Sequence, residues 1–518
     1  MGTSGDRDPF VVIGGDAAGL SAASKCKREA PDREVIVFEK GEWVSYAHCG
    51  MPYYVKGEVD DLLSMTTLSP DDVHDRGIDL RRNHEVTAID PQRRTVTVER
   101  YDTDATATDE SGASTTTETF EQSYGDLLIA TGARALAPID GVERDGVFTL
   151  HHMDSAAALR AFLEQPGSVD PATVGNGYTD EAYVRQYAER EPPASAAIVG
   201  GGYVGVETAE ALAAWGLDVH LFQRGDSLLP PFGEAVGSAV AAELREQGVE
   251  LHLGCEVTGL VGPSGTTDVG TTGGDEETVS GDGEAVDSEG ELAAVAHTEG
   301  ETAVDLAVVG VGVRPNAELA AEAGIETAAK GAVAVDDYGR TSAPDVYAAG
   351  DCAVAEHVVT GERTWVPLGL TANRAGRAVG ATVGGNPTRT GGIAGTAVVK
   401  AFEQECGRTG ILDHDAAREA GFDPVSETVT AGSRSGYYPG SAETTVTLCA
   451  DRQTGKLLGG SIVGTDRAAV RIDTVATALE GGLTVSELER ADLAYAPPFS
   501  PVWDPVLVAA KVLAGSVE

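Results

Sequence analysis

Twice in this chain an apolar run breaks into a glycine-rich turn and then into a helical pattern. The first instance is Phe10-Val11-Val12-Ile13, followed by Gly14-Gly15-Asp16-Ala17-Ala18-Gly19, with a helix predicted over 20–29. The second is Ala196-Ala197-Ile198-Val199, followed by Gly200-Gly201-Gly202-Tyr203-Val204-Gly205, with Glu207 in the opening turn of the helix. A short, wholly apolar run bounded by glycines reads as a buried parallel strand. A tight turn from such a strand into a helix start presents unpaired N–H groups to a phosphate. Gly14 and Gly200 are 186 positions apart (200 − 14). The chain is therefore predicted to carry two dinucleotide-binding units.

The strand after each loop distinguishes the two units. Residues 34–38 run into Glu39 and Lys40, which puts a carboxylate where it accepts hydrogen bonds from ribose hydroxyls. Residues 219–222 run instead into Gln223 and Arg224. An amide does not repel a 2′-phosphate and a guanidinium attracts one, so NADPH is expected there, with NADH as the alternative. Asp16 stands where the first motif has its middle glycine. Small turns elsewhere suit the close approach of a nucleotide: Ala130-Thr131-Gly132, Gly312 within 310–316, and Gly350-Asp351. The acid of the last can accept hydrogen bonds from a sugar-like chain.

Next along the first unit comes Ser45-Tyr46-Ala47-His48-Cys49-Gly50-Met51-Pro52-Tyr53-Tyr54. Cys49 falls where a helix can begin, with Pro52 in the first turn, where a missing N–H costs nothing. The free N–H groups and dipole of a helix start favour a thiolate, the reactive form. A second cysteine five residues on would complete a dithiol, but that residue is Tyr54, so one thiol must carry any redox chemistry. Cys26, Cys255, Cys352, Cys406 and Cys449 lack this setting and read as packing. Lys25, Lys27 and Arg28 on the first helix either complement its dipole or clamp an anionic substrate.

Composition narrows the partners. A net charge of −45 argues against nucleic acid and anionic membranes. The 37 basic residues comprise 8 Lys and 29 Arg, a Lys-poor, acid-rich balance that suggests a halophilic, high-salt cytoplasm. Six unevenly spaced cysteines make no disulfide framework, no CxxC pair occurs, and no metal-ligand set is read. No apolar run approaches the roughly 20 residues that span a bilayer, and the polar start reads as no leader, so a soluble cytoplasmic setting is the expectation.

The domains expected are 1–135, the first part of an α/β nucleotide domain; 136–304, a second such domain; 305–388, the return of the first; and 389–518, a separate α+β domain. Residues 101–123 read as an enlarged hairpin, 165–193 as a loop insertion with room for a short helix, and 262–302 as a mobile acidic loop. The tail carries Tyr437-Tyr438-Pro439-Gly440 and Tyr495-Ala496-Pro497-Pro498-Phe499.

Together these stretches resemble the pyridine nucleotide-disulfide oxidoreductases, in particular the single-cysteine branch that contains coenzyme A disulfide reductases and NAD(P)H oxidases. The resemblance covers nearly the whole chain apart from the acidic insertions. It implies two Rossmann-like, three-layer domains with parallel sheets, one for FAD and one for NAD(P)H, and a C-terminal dimerisation domain. It implies FAD on 14–19 with Glu39 on its ribose and Asp351 on its ribityl part, and NAD(P)H on 200–205 with Tyr203 near the nicotinamide. It places Ser21, Lys25, Arg28, Ser45, His48 and Asn373 around the substrate, and it brings Tyr437 or Tyr438 of a second copy to Cys49 in a homodimer. His48 replaces a usual Asn, Phe499 replaces a common Tyr, and Ala17 stands where peroxidase members have a His. The activity implied is NAD(P)H-dependent reduction of a small disulfide, such as that of coenzyme A, through Cys49, with His48 or a Tyr as proton donor. The alternatives are an oxidase that reduces O2 and a flavin–thiol redox sensor.

Overall fold

The computed structural model describes residues 8–101, 116–169, 173, 175–263 and 290–517. Phe10–Ile13 is the middle strand of a five-stranded sheet ordered Val346–Ala348, Asp126–Ile129, Phe10–Ile13, Val35–Phe38, Asp79–Arg81. Every pairing in it is parallel. All four residues of the middle strand are buried, which is why the run shows no polar alternation. Helices Ala17–Glu29 and Gly369–Val383 cover one face, and Val86, Ile89, Val96 and Val98 of a three-stranded antiparallel sheet cover the other. The two helices lie in backbone contact. A Cβ at Gly376 or Gly380 would come 2.1 Å from the carbonyl oxygen of Ala18 or Ala22.

Ser195–Val199 takes the same place in a second parallel sheet, ordered Glu250–Leu253, Asp218–Gln223, Ser195–Val199, Leu306–Val309, Val147–Phe148. In both sheets the strand that follows in sequence, Val35–Phe38 or Asp218–Gln223, pairs on one side of the middle strand, and a later one, Asp126–Ile129 or Leu306–Val309, pairs on the other. That opens a crevice at its carboxyl end, the standard place for a nucleotide.

Two readings of the sequence are corrected here. The first domain does not resume at 305, because Leu306–Val309 pairs with the second sheet from Ala196↔Leu306 to Val199↔Val309. The chain recrosses at Val313–Pro315, which pairs antiparallel with Ala133–Ala135. Nor is 262–302 a loop throughout. Ala294–His297 pairs with Val257–Val261 on one side and with Gly300–Ala303 on the other, and Val295 is fully buried. Residues 264–289 lie outside the described residues. At 101–123, Thr95–Tyr101 pairs antiparallel with Thr116–Ser123, and 102–115 are outside the described residues. The insertion at 165–193 holds the helix Glu181–Ala188, which seats Val184 and Tyr187 in the core.

The C-terminal domain is an antiparallel sheet ordered Ala397–Ala401, Gln404–Gly410, Leu457–Gly464, Glu443–Asp451, Pro424–Gly432, packed with helices Ala468–Glu480 and Pro505–Ala514. Among the described residues, no helix is long and apolar enough to cross a membrane.

Candidate active site

The two glycine loops open on one cavity of about 1970 Å³. A single ligand usually takes about 300–1,000 Å³, so this space suits two. Both loops are shaped by the same contacts. Gly14 and Gly200 have φ of 108° and 112°, in the left-handed region, and a Cβ on either would strike a neighbouring carbonyl oxygen, Ala130 at 2.2 Å or Gly310 at 2.4 Å. Both helices that follow lack a side-chain cap. Asp16 precedes Ala17–Glu29 without capping it, and Gly202, which precedes Tyr203–Ala214, has no side chain to do so. The first-turn N–H groups are thus left for a ligand's phosphates. The residues present fit a dinucleotide at each loop.

Second-strand residues brace both turns. Glu39 accepts hydrogen bonds from the N–H of Gly15 and of Gly41, each at 2.8 Å, and burial pushes its carboxyl up despite them. Gln223 Oε1 accepts from the N–H of Gly201 at 3.0 Å. Arg224, directly after it, is 82 % exposed on its side chain and lines the cavity. Asp351 lines the cavity too. Burial pushes its carboxyl up to about 6, against the lowering charge of His48.

Cys49 lies in a 3-10 turn, His48–Gly50, which runs directly into the helix Met51–Lys56. It is the only exposed cysteine; the other five are buried. The turn is held from the first loop. Ser45, at φ 53°, donates its N–H to the carbonyl of Gly15 and accepts from Thr67. Asp16 Oδ1 accepts the N–H of Tyr46 at 3.0 Å, and Asp16 Oδ2 lies 2.9 Å from His48 Nε2. The His48 ring stacks on Tyr46 at 4.4 Å between centroids. Asp16 therefore serves as the orienter of His48, fixing Nε2 as the donor nitrogen and leaving Nδ1 for proton exchange. His151 stands 5.2 Å away, ring to ring, and donates from Nε2 to the carbonyl of Ala133. Burial holds its imidazole below the usual range.

The far end of the cysteine helix is fastened to the second domain. Tyr53 donates to Glu207 at 2.8 Å, Trp215 Nε1 donates to the carbonyl of Val55 at 2.8 Å, and Lys56 pairs with buried Glu210 at 2.6 Å. Burial pushes Glu207 up to about 7, although the Tyr53 bond opposes this.

Of the candidate catalytic, cofactor and substrate residues, all but Gly19, Gly205, Lys25, Lys27, Tyr437 and Tyr438 line the cavity. Gly19 and Gly205 sit behind the loops, where a Cβ would be 1.9 Å or 1.8 Å from the carbonyl oxygen of Gly14 or Gly200. Lys25 turns to Glu29 one turn on. Tyr437 and Tyr438 are exposed on the C-terminal domain. Ser21 and Asn373, from different helices, meet at 2.7 Å. Sequence reasoning missed Asp16 as an orienter, His151, and two cations on the cavity wall with Arg28: Arg76, which donates to Ser24 at 3.2 Å, and Arg377.

A cavity that takes two dinucleotides and exposes a thiol belongs to an oxidoreductase that moves electrons between a nicotinamide and a flavin. The chain is a member of the pyridine nucleotide-disulphide oxidoreductase family: residues 8–376 match that family's model, and residues 396–505 match its dimerisation domain. It is an FAD-dependent enzyme that uses NAD(P)H. The chain is 35% identical over 504 residues to the NAD(P)H coenzyme A polysulfide/persulfide reductase of Pyrococcus horikoshii, covering 97% of this chain and 98% of that protein. Reduced Bacillus anthracis CoADR-RHD superposes with a TM-score of 0.82 at 27% identity, over 99% of this chain and 81% of that one. The water-forming NADH oxidase of Lactobacillus brevis does so with a TM-score of 0.81 at 25% identity, over 98% of both.

Glu207 gives a pH test. Its folded pKa stands above the unfolded value, so the stability it contributes is full below about pH 4.5 and is lost as pH rises through about 7. Glu207→Gln should remove this decline and leave the protein more stable than wild type above pH 7, by up to about 3 kcal/mol. Melting temperatures of wild type and variant from pH 5 to 8 check it. Parallel curves would show that Glu207 is ionised throughout.

Proposed function

We propose that this enzyme reduces a coenzyme A disulfide or a related coenzyme A-bound sulfur compound with Cys49 as its single redox thiol. The observation that carries this reading is the position of Cys49: the one exposed cysteine opens on the cavity whose wall gathers Arg28, Arg76 and Arg377 in a chain of net charge −45. Such a wall suits a small, phosphate-bearing substrate. The names of the Pyrococcus and Bacillus relatives support the same class.

FAD on the first loop would be held by Gly14, Gly15, Glu39 and Asp351, and NAD(P)H on the second by Gly200, Gly202, Tyr203 and Gln223; together they supply an electron pair to sulfur. The chain's own work is thiol exchange. The Cys49 thiolate attacks one sulfur of the disulfide, a mixed disulfide forms, and the other sulfur leaves as a thiolate. His48, oriented by Asp16, takes the Cys49 proton on Nδ1 as the thiolate forms and passes it to that leaving thiolate. Two electrons and two protons then release the second thiol and restore the Cys49 thiol. Cys49→Ser should keep its FAD and lose coenzyme A disulfide turnover. Thiol release is followed with O2 uptake in the same assay. Wild-type turnover in the variant, or O2 uptake that accounts for all NAD(P)H oxidised by the wild type, would reject the reading; the second result is that of an oxidase, as in the L. brevis relative.

We assign NADPH as the preferred nicotinamide. This is supported by Gln223, which is held by the Gly201 N–H and brings no negative charge, and by Arg224, exposed on the cavity wall 3.8 Å from Glu256 and, among the described residues, free of any hydrogen-bonded ion pair that a 2′-phosphate would have to displace. Arg224→Ala should raise KM for NADPH about 10- to 100-fold, the worth of a charge-assisted contact, and leave NADH nearly unchanged. Equal effects on both cofactors would rule the assignment out.

A homodimer with shared sites is the third part of the reading. It is supported by the match to a dimerisation domain and by Tyr437, Tyr495, Phe499 and Trp503, all exposed on that domain. Co-expression of Cys49→Ser with a Tyr437→Phe/Tyr438→Phe variant, each inactive alone, should restore about a quarter of wild-type activity, because half the dimers are mixed and each mixed dimer keeps one intact site. No recovery in confirmed mixed dimers would place each site within one chain.

A further inference from the structure

The outer edge of the second sheet carries a cluster that the flavin chemistry does not use. Strands Asp218–Gln223 and Glu250–Leu253 pair with His220 opposite Glu250 and Phe222 opposite His252. Strand alternation puts these four side chains on one face. His220 Nδ1 lies 3.2 Å from His252 Nε2 and 3.6 Å from Glu250 Oε2, and Glu250 Oε1 lies 3.7 Å from His252 Nε2. The three side chains thus offer one ligand atom each, all within 4.8 Å of one another.

The spacing has chemical content. Ligands held at about 2.0–2.1 Å by a tetrahedral Zn2+ stand about 3.3 Å apart, close to the edges of this triangle. As a hydrogen-bond network the triangle is incomplete, because neither Glu250 contact comes within hydrogen-bond length. The outer nitrogen of His220, Nε2, lies 3.8 Å from Oδ2 of the exposed Asp218, beyond hydrogen-bond length. The imidazoles are 13 % and 14 % exposed, while Glu250 is open to solvent and gives an ion a way in.

We propose that His220 Nδ1, His252 Nε2 and the Glu250 carboxylate bind one divalent ion of the zinc class, with water in the fourth position. Two imidazoles and one carboxylate suit that ion over the hard, all-oxygen cations. The site also touches the nucleotide cavity. The His252 ring stacks flat on Phe222, at 4.3 Å and 9°, and Phe222, Arg224, Cys255 and Glu256 line the cavity beside it. A bound ion would tie the edge strand to its neighbour and so brace the rim where Arg224 stands.

The test uses FAD-loaded, full-length protein carrying Cys49→Ser, so that the exposed thiol does not take up metal. Zn2+ uptake is measured against a chromophoric chelator. The Cys49→Ser protein should bind one equivalent per chain that is lost when His252→Ala is added. Glu250→Gln, an exposed and nearly isosteric change, should weaken that equivalent. Unchanged FAD content shows that each variant is folded. Anomalous scattering at the zinc edge should place the ion between the two imidazoles. The proposal is overturned if Cys49→Ser protein takes up no Zn2+ at about 10 μM, well above the affinity of ordinary protein zinc sites. It is equally overturned if the variants retain the full equivalent, or if the ion lies elsewhere.

Discussion

The site depends on how the short cysteine helix is clamped between domains. Met51–Lys56 is too short to stand by itself, since a single turn of helix gains little against the entropy of ordering it. It is held because Met51, Tyr54 and Val55 join the core that also contains Val206, Ala209 and Leu212 of the second loop's helix. Glu210 ties the joint from three directions. It accepts from Lys56, from Lys400 and from the N–H of Phe402, the last two in the C-terminal domain. Burial pushes its carboxyl up, but these donors outweigh burial and hold it below the usual range. A buried charge with this many partners is costly to disturb by removing one of them. The thiol is therefore positioned by the contact of all three domains and not by its own helix.

At the other end of the helix, two residues that depart from the family pattern explain each other. Asp16 occupies a place where the motif favours glycine, and His48 a place where Asn is usual. Taken singly, the first weakens a nucleotide motif and the second puts the substrate in doubt. In the fold they are one pair at 2.9 Å, with the second carboxylate oxygen of Asp16 holding the backbone at Tyr46. The same carboxylate is thus withdrawn from capping the helix Ala17–Glu29, which leaves that helix start open to a phosphate. One residue orients the imidazole and vacates the anion site together.

Much of this architecture was legible in the sequence because its signals are local. An apolar run, a glycine turn and a helix start are neighbours in the chain, and so are Ser45, His48 and Cys49. What was not legible depends on register or on long separations. The apolar run at 306–309 was visible as a strand, but only its pairing with Ser195–Val199 assigns it to the second sheet. Arg76 and Arg377 come from different elements and share no motif with Arg28. His220 is 30 positions from Glu250 (250 − 220), and only two strands in parallel register set them side by side. Lys25 shows a local contact that the sequence also held: Glu29 is one helical turn on, and the two side chains pair.

The two glycine loops also show which part of a nucleotide site needs charge. In each, the residue ending the second strand accepts an N–H from the loop's second glycine, Glu39 from Gly15 and Gln223 from Gly201. An amide oxygen fills the place of a carboxylate oxygen at nearly the same distance, 3.0 Å against 2.8 Å. Bracing the loop is therefore a matter of geometry, available to either residue. The remaining oxygen of Glu39 is bound by Gly41, whereas the remaining nitrogen of Gln223 donates to the carbonyl of Ser227. What differs is the charge of the side chain beside the loop. The first loop keeps a buried acid there. The second is neutral at that point, with the exposed Arg224 one residue on. The same fold thus braces two glycine loops alike with a buried acid beside the first and a neutral amide beside the second.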